Sequence, residues 1–235
     1  MSRWIDVVLG ATGTTPAEPA PSLSRHHIEK LGFSLPPAHI ELLFRSNGVR
    51  LYDGYFQLFP TQAANAWTIM SWNEPSTWKF AWPDGIGEYL CFGETVWGDQ
   101  YAYRRDVLNG GATGVYFLDA LRMQPRQLSE TFEEFGERYL VRNATSPFDS
   151  VLRAAHDLVG PIEPGMHLVF NPPLLVTGEE RLDRLVRMPA REAMILNGDL
   201  WSQLANPPSG SHVHRMKVVK DEEGRERMHV EWAPT

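Results

Sequence analysis

Residues Leu31 to Pro60 read LGFSLPPAHIELLFRSNGVRLYDGYFQLFP, and their order decides the fold. Pro36 and Pro37 stand where a helix begins. The N–H groups of a first turn have no intrahelical partner, so proline is tolerated there. Ile40, Leu43 and Phe44 follow at i, i+3 and i+4, which marks one apolar helix face. Asn47-Gly48 accepts positive φ and stops the helix. Tyr55 to Phe59 then reads as a strand. Nothing in this stretch is a catalytic motif.

Upstream, residues 10 to 22 are rich in Ala, Thr, Pro and Gly and read as a flexible or extended lead-in. A helix is expected over Ser24 to Leu31, capped by Ser22 or Ser24 and ended by Gly32. Downstream, Ala63 to Trp72 suits a helix. Trp78 to Trp82 alternates large and small residues, as a strand does. Pro83-Asp84-Gly85-Ile86-Gly87 has turn chemistry. Strands are expected at Tyr89 to Phe92, Gln100 to Arg104 and Gly114 to Leu118. Leu128, Phe132, Phe135 and Tyr139 recur at helical spacing, predicting a helix over about Gln127 to Val141, with Thr131 and Glu134 as a capping box.

Asn143 to Pro147 reads as a boundary. Beyond it, Pro147 opens a helix carrying Phe148, Val151, Leu152, Ala155 and Val159, which Gly160-Pro161 ends. Strands are expected at Met166 to Phe170 and Leu174 to Thr177. Pro189 to Leu204 predicts a helix bent or broken at Asn197-Gly198. Val213, Met216 and Val218, with Met228, Val230 and Trp232, flank Asp221 to Gly224 and predict a hairpin with a four-residue loop.

The chain has 235 residues, 43% of them hydrophobic and 11% aromatic, enough for a packed core. Its formal net charge of -7 argues against general nucleic-acid affinity and suits a basic partner. A single cysteine, Cys91, excludes an internal disulfide and a four-cysteine zinc site. No apolar run approaches the roughly 20 residues of a membrane span, so the expected compartment is the cytoplasm.

Candidate chemistry is sparse. Cys91 lies in an apolar strand, where a thiol behaves as a small hydrophobe. His212 and His214 share a strand face, and His229 could join them across the hairpin. That group carries a metal-dependent enzyme as one alternative, although no H-E-x-x-H or carboxylate clamp accompanies it. His26-His27 point apart on a helix. Asn109 to Gly114 is Gly-rich but lacks the helix and Gly-Lys-Ser/Thr end of a phosphate loop. Glu133-Glu134 suits a solvated helix face.

One charge pattern stands out. From Phe80 to Tyr103 there is no Lys or Arg, while Asp84, Glu88, Glu94 and Asp99 fall beside Trp78, Trp82, Trp97 and Tyr101. Acids with aromatic anchors suit a surface that receives a basic partner. The competing reading puts the aromatics inside and leaves the acids solvated at strand ends. The surface exists only if some of these tryptophans are exposed. On this pattern the candidate partner-binding residues are Trp82, Asp84, Glu88, Glu94, Trp97 and Asp99. No catalytic, cofactor or metal residue is assigned.

Leu31-Gly32, Leu35-Pro36, Asn47-Gly48, Pro83 to Glu88 and Thr131-Phe132-Glu133-Glu134-Phe135 follow one another in an order that resembles the SUKH superfamily, which includes cell-wall regulators and bacterial toxin-immunity proteins. Phe92-Gly93-Glu94 followed by Gly98-Asp99, and the stretch His167 to Leu204, are similar to immunity proteins linked to type VI secretion. The resemblance implies an α+β protein with a SUKH-like domain over 24–142, after a lead-in over 1–23 and before an α+β extension over 147–235. It implies a cytoplasmic immunity protein in bacterial competition, which occludes a cognate toxin and uses no cofactor, nucleic acid or membrane. The alternative is a regulatory or scaffold module that binds another protein. The terminal hairpin has no counterpart in that resemblance, and no catalytic residue carries over.

Overall fold

The computed structural model describes residues 2–17, 28–29, 31–83, 85–108, 113–147 and 149–234. The protein is α+β. Helix α1 (Arg3–Gly10) opens it and buries Trp4, Ile5 and Val8. The lead-in expected over 1–23 is therefore a core helix at its start, because three apolar residues on one face outweigh the Ala, Thr and Gly that follow. Strand β1 (Thr15–Pro16) comes next. Of the helix expected over Ser24 to Leu31, residues 24–27 and 30 lie outside the described residues, as do His26-His27. Ile28 and Glu29 are helical.

Helix α2 (Pro37–Arg45) forms where the double proline predicts it. Its inward face is His39, Leu42 and Leu43, while Phe44 is 46% exposed. The i, i+3, i+4 spacing is right, but the buried stripe is one residue earlier, with a histidine at its head. Strands β2 (Val49–Leu51) and β3 (Phe56–Leu58) follow. Between them Tyr52, Asp53 and Gly54 all have positive φ. Asp53 joins distant segments at this turn: its N–H donates to Gly13 O at 2.8 Å, and its carbonyl accepts from Ile162 N at 2.9 Å.

Helix α3 (Ile69–Trp72) keeps only the last four residues of the helix expected from Ala63. Thr68 and Ser71 close a reciprocal cap around it. Trp78 to Trp82 is not a strand but holds a 3-10 turn at Lys79–Ala81. Its large residues turn inward one after another, and the Trp78 indole donates to Trp72 O at 2.9 Å. Strands β4 (Tyr89–Thr95), β5 (Gln100–Arg104), β6 (Val115–Leu118) and β7 (Pro125–Ser129) complete the sheet. Among the described residues it has seven strands, in chain order and antiparallel throughout.

The helix expected from Gln127 begins later, because Gln127 pairs with Tyr116 in the sheet. It runs as α4 (Phe132–Phe135), a π turn (Gly136–Leu140) and α5 (Val141–Thr145). Thr131 Oγ1 accepts from Glu134 N at 3.1 Å, and the Glu134 carboxylate returns to Glu130 N rather than to Thr131. Gly136 is required where it is: a Cβ there would lie 2.5 Å from the Trp4 ring of α1. The boundary expected at Asn143 is still helical, and Asn143 is buried with its amide donated to Tyr101 OH at 3.0 Å.

The C-terminal part contains α6 (Ser150–Val159), β8 (Met166–Phe170), α7 (Leu174–Thr177), β9 (Leu185–Pro189) and α8 (Ala190–Leu204). Strands β8 and β9 pair with each other. Phe148 lies outside the described residues. Leu174–Thr177 is a helix rather than the expected strand, entered from Pro173 and ended by Gly178 at positive φ. Helix α8 runs unbroken through Asn197-Gly198. Gly198 is the point of closest approach, since a Cβ there would sit 2.7 Å from Ala81 O. Strands β10 (Ser211–Lys220) and β11 (Glu226–Pro234) form the predicted hairpin. Its loop spans 221–225, one residue longer than predicted, because Asp221 accepts from Glu223 N and Arg225 N and draws Arg225 into the turn.

Candidate functional site

Of the acid-rich segment, Glu88 ends a 3-10 turn (Ile86–Glu88) ahead of β4, Glu94 lies on β4 and Asp99 in the turn before β5, so the two faces of the β4–β5 pair decide what most of it can do. Side chains alternate along a strand. Tyr101 and Tyr103 face the helices. Tyr103 OH lies 2.9 Å from His39 Nδ1, and Phe92 stacks on the Tyr103 ring with centroids 4.3 Å apart. Burial holds His39 neutral, its pKa lowered to about 3.

The other face is polar and covered. Gln100 Oε1 accepts from the Trp72 indole at 2.8 Å, and Gln100 Nε2 donates to Gly98 O at 2.9 Å. Glu94 Oε2 sits 3.1 Å from His167 Nε2, and both side chains are buried. Asn73 pairs with both backbone groups of Cys91, donating to its carbonyl and accepting from its N–H at 2.8 Å. The C-terminal part closes over this face: Leu168 N donates to Val96 O at 2.8 Å, and the Trp82 indole donates to Met194 O at 3.0 Å. Farther out, Arg225 and Arg227 lie over the Phe80 ring, with the guanidinium carbons 3.8 and 5.0 Å from its centre.

The six candidate residues are thus separated. Glu94 and Trp82 are buried where the C-terminal part packs, although an edge of Trp82 lines the same concavity as Glu88. Asp84 lies outside the described residues. Glu88 is exposed and lines a concavity of about 300 Å3 beside Arg122 and Pro125. Trp97 is half-buried and stacks on Phe170, with centroids 5.4 Å apart and planes 12° off parallel. Trp97 and Asp99 line a second cavity, of about 240 Å3, with Phe170, Asp149, Glu180 and Asn197. Burial raises the Asp99 carboxyl to about 6. Hydrogen bonds from Thr95 Oγ1 at 2.7 Å and Ala120 N at 2.8 Å pull it back, and the charges of Asp119 and Asp149 push it further up. The continuous acidic-aromatic surface expected from sequence is therefore divided between an interior and two concavities. Each strand sends alternate residues to opposite faces, and one of those faces is covered.

Cys91 is fully buried, and burial pushes its thiol up, against the pull of the Lys79 and Arg105 charges. Lys79 is itself buried and lowered by that burial, with Nζ donating to Asn73 Oδ1 and Tyr89 O. A covered, protonated thiol is a poor nucleophile. His212 pairs with Ala233, whereas His229 pairs with Lys217, so the hairpin register holds them apart. His214 falls at the register shift between Val213 and Arg215. Among the described residues no group of three His, Cys, Asp or Glu is arranged to hold a metal ion. No helix among them is long and apolar enough to cross a membrane.

The residues that sequence reasoning missed come from the C-terminal part: His167 on β8, and Asn197 on α8 beside the Met194 that caps Trp82. No local pattern marks them, since each gains its role from a partner about 70 or more positions away in the chain, as Asn197 does from Ala120 and Met194 from Trp82.

Residues 26–138 match the model of the SMI1 / KNR4 family (SUKH-1). This supports the SUKH resemblance over strands β2 to β7 and helices α2 to α4, and leaves α1, β1 and the C-terminal part outside the match. No curated protein matches the chain. The fold is similar to that of the crystal structure of Atu4351 from Agrobacterium tumefaciens, with a TM-score of 0.53 and 11% identity over 95% of this chain and 96% of that one. That span reaches well beyond the family match and into the C-terminal part, so an architecture of this extent is shared by the two proteins.

Proposed function

We propose that this protein is an immunity protein that binds a cognate toxin and blocks it by occlusion. The observation that carries this reading is the match of residues 26–138 to the SMI1 / KNR4 family (SUKH-1), with its SUKH-type immunity and protein-binding roles. The buried Cys91 and the register that separates His212 from His229 give no support to the alternative of a metal-dependent enzyme built on those residues. The link to type VI secretion and bacterial competition is the finer part of the proposal. It rests on the order of Phe92-Gly93-Glu94, Gly98-Asp99 and the stretch from His167 to Leu204.

The test is rescue. Candidate toxins encoded beside this gene are expressed in a sensitive host with and without the full chain. Restored growth together with a stoichiometric complex on gel filtration is the expected result. Growth arrest that the chain never relieves would sink the proposal. For a rescued pair, Glu88→Lys should slow association with a basic toxin more than it speeds dissociation, and added salt should shrink the difference, because exposed charges act through steering.

A further inference from the structure

The terminal hairpin has two outer edges, and only one is covered. Along β11, α8 supplies the missing partners. Asp199 Oδ2 accepts from Met228 N at 2.7 Å, Gln203 Oε1 accepts from Val230 N at 2.9 Å, and Gln203 Nε2 donates to Met228 O at 2.8 Å. These backbone groups therefore point away from β10. Met228 pairs with Val218 and Val230 with Met216, and in such pairs both strands turn their backbone groups outward. On the β10 side nothing answers them. Among the described residues β10 joins no strand but β11, and no backbone group of residues 211–220 bonds to another element.

The chemistry along this edge is selective. Residues 211–220 read SHVHRMKVVK, with three Lys or Arg, two His and no Asp or Glu, in a chain of net charge -7. Lys217 is held by Glu231 at 2.6 Å, while Arg215 and Lys220 form no ion pair among the described residues. Side chains alternate along the strand, so Met216 and Val218 share the face of Met228 and Val230, and Arg215 and Lys217 share the other. On the first face Val218, 60% exposed, lines a concavity of about 400 Å3 with Met188, Ile195, Leu196 and Met228. Three arginines and two glutamates complete its lining.

We propose that β10 receives an extended, acid-rich segment of a partner protein as a third strand of this small sheet. The outward groups of Met216 and Val218 supply the ladder, as in strand addition to an open sheet edge. The side chains of the added strand divide between the two faces. Apolar ones lie over Val218 and its concavity, and acidic ones lie beside Arg215 and Lys217. A second copy of the chain fits poorly. In an antiparallel self-pair of β10 centred on Met216, Arg215 of each copy stands opposite Lys217 of the other, and like charges directly opposite are unfavourable. The same charges thus guard the edge against its own kind and select an acidic strand. The inference does not rest on the immunity reading, because the edge and its charge serve a toxin or a regulatory target alike.

The test uses the full chain labelled with nitrogen-15 and the peptide acetyl-Glu-Val-Glu-Val-Glu-Val-Glu-amide. Saturable shifts of the Met216 and Val218 amide signals are expected, and their absence would overturn the proposal. Near saturation the exchange of these amides with solvent should slow roughly tenfold, because only the unbound fraction exchanges. The same peptide methylated at every backbone nitrogen keeps its charge but lacks donors, and it should do neither. Equal binding would leave charge alone at work and overturn strand addition. The lysine counterpart, acetyl-Lys-Val-Lys-Val-Lys-Val-Lys-amide, should not bind, and equal binding would overturn the acidic partner. Val218→Pro removes a donor that points outward and no hairpin bond, so it should abolish the response. If the proline instead quickens exchange at Met228 and Val230, the hairpin itself has loosened, and R215E/K220E decides. That variant should weaken the glutamate peptide about tenfold and admit the lysine peptide. An unchanged glutamate response in it would overturn the proposal. Oligouridylate that protects the same amides more strongly than the peptide would assign the edge to nucleic acid instead. Protection of Met216 and Val218 that grows with protein concentration alone would assign it to a second copy.

Discussion

The two faces of the β4–β5 pair are held by different physics. On the helix side, rings meet rings: His39 lies parallel to Phe132 at 4.3 Å, Phe92 stacks on Tyr103, and Phe135 packs on Tyr101 at 5.0 Å. On the C-terminal side, amides, a carboxylate and an imidazole are joined by directed contacts: Trp72 to Gln100, Glu94 to His167, and Asn73 to Cys91. Apolar burial is non-directional and supplies stability over a broad area. A buried polar network supplies less net energy but accepts only one arrangement, because any slip leaves its groups unpaired. The helix side thus holds the sheet together, and the polar side registers the C-terminal part against it. That registration places Asn197 and Phe170 beside Asp99.

The comparison breaks most readily at Phe135. It is fully buried among aromatic rings, so Phe135→Ala should remove about 3–5 kcal/mol of unfolding free energy. Denaturant titration that shows no loss would mean the ring side does not carry the fold. Gly198→Ala probes the opposite side. Its new Cβ would crowd Ala81 O, which costs about 1–3 kcal/mol, partly offset by the roughly 1 kcal/mol that alanine gains in a helix. Hydrogen exchange should quicken around residues 79–82 and 190–204 and stay unchanged in α2 and α4. Uniform quickening would erase the distinction between the faces.

Acid sharpens it further. His39 has its pKa lowered from 6.5 to about 3 in the folded protein, so the unfolded chain binds the extra proton between those values. Its contribution is full above pH 6.5 and is lost as pH falls toward 3, by about 1.4 kcal/mol per unit. Asp99 has the opposite sign: its raised pKa favours the folded state below about 4 and loses that effect as pH rises through about 6. His39→Gln should therefore flatten the acid limb of a stability-against-pH curve, and an unaltered limb would place the acid-sensitive group elsewhere. The smallest effect is expected at Phe80. Phe80→Leu keeps an apolar side chain but removes the ring beneath Arg225 and Arg227, at a loss of about 0.5–1 kcal/mol, read as faster exchange in the hairpin. Cys91 gives a check without an energy scale: it should label slowly with a thiol reagent in the native state and rapidly once unfolded.

Several elements were legible because their signals are local. The double proline and Asn47-Gly48 bound α2, Gln100–Arg104 and Met166–Phe170 read directly as strands, and the hairpin declared itself by alternation on both sides of an acidic turn. The misreadings have separate causes. Trp78 to Trp82 has the alternation of a strand, yet no neighbour offers it a ladder, and it coils inward to supply indoles to Trp72 O and Met194 O. Leu174 to Thr177 has β-type residues but follows Pro173 and turns as a helix. His39 takes the place on α2 that periodicity assigns to Ile40, because its ring meets Tyr103, 64 positions away.

The sequence by itself determined the α+β class, the SUKH resemblance over 24–142, the single unpaired thiol and the excess of acid near residues 84–99. These follow from composition, period and turn chemistry, which act over a few residues. Only the tertiary structure decided which acids and tryptophans are available. Strand alternation sent Tyr101 and Tyr103 to one side and Glu94 and Gln100 to the other. The C-terminal part then covered the second side, burying Glu94 and most of Trp82 while leaving Trp97 and Asp99 at a cavity wall. Burial is a property of what packs on top, and here that cover comes from residues about 70 to 110 positions farther along the chain.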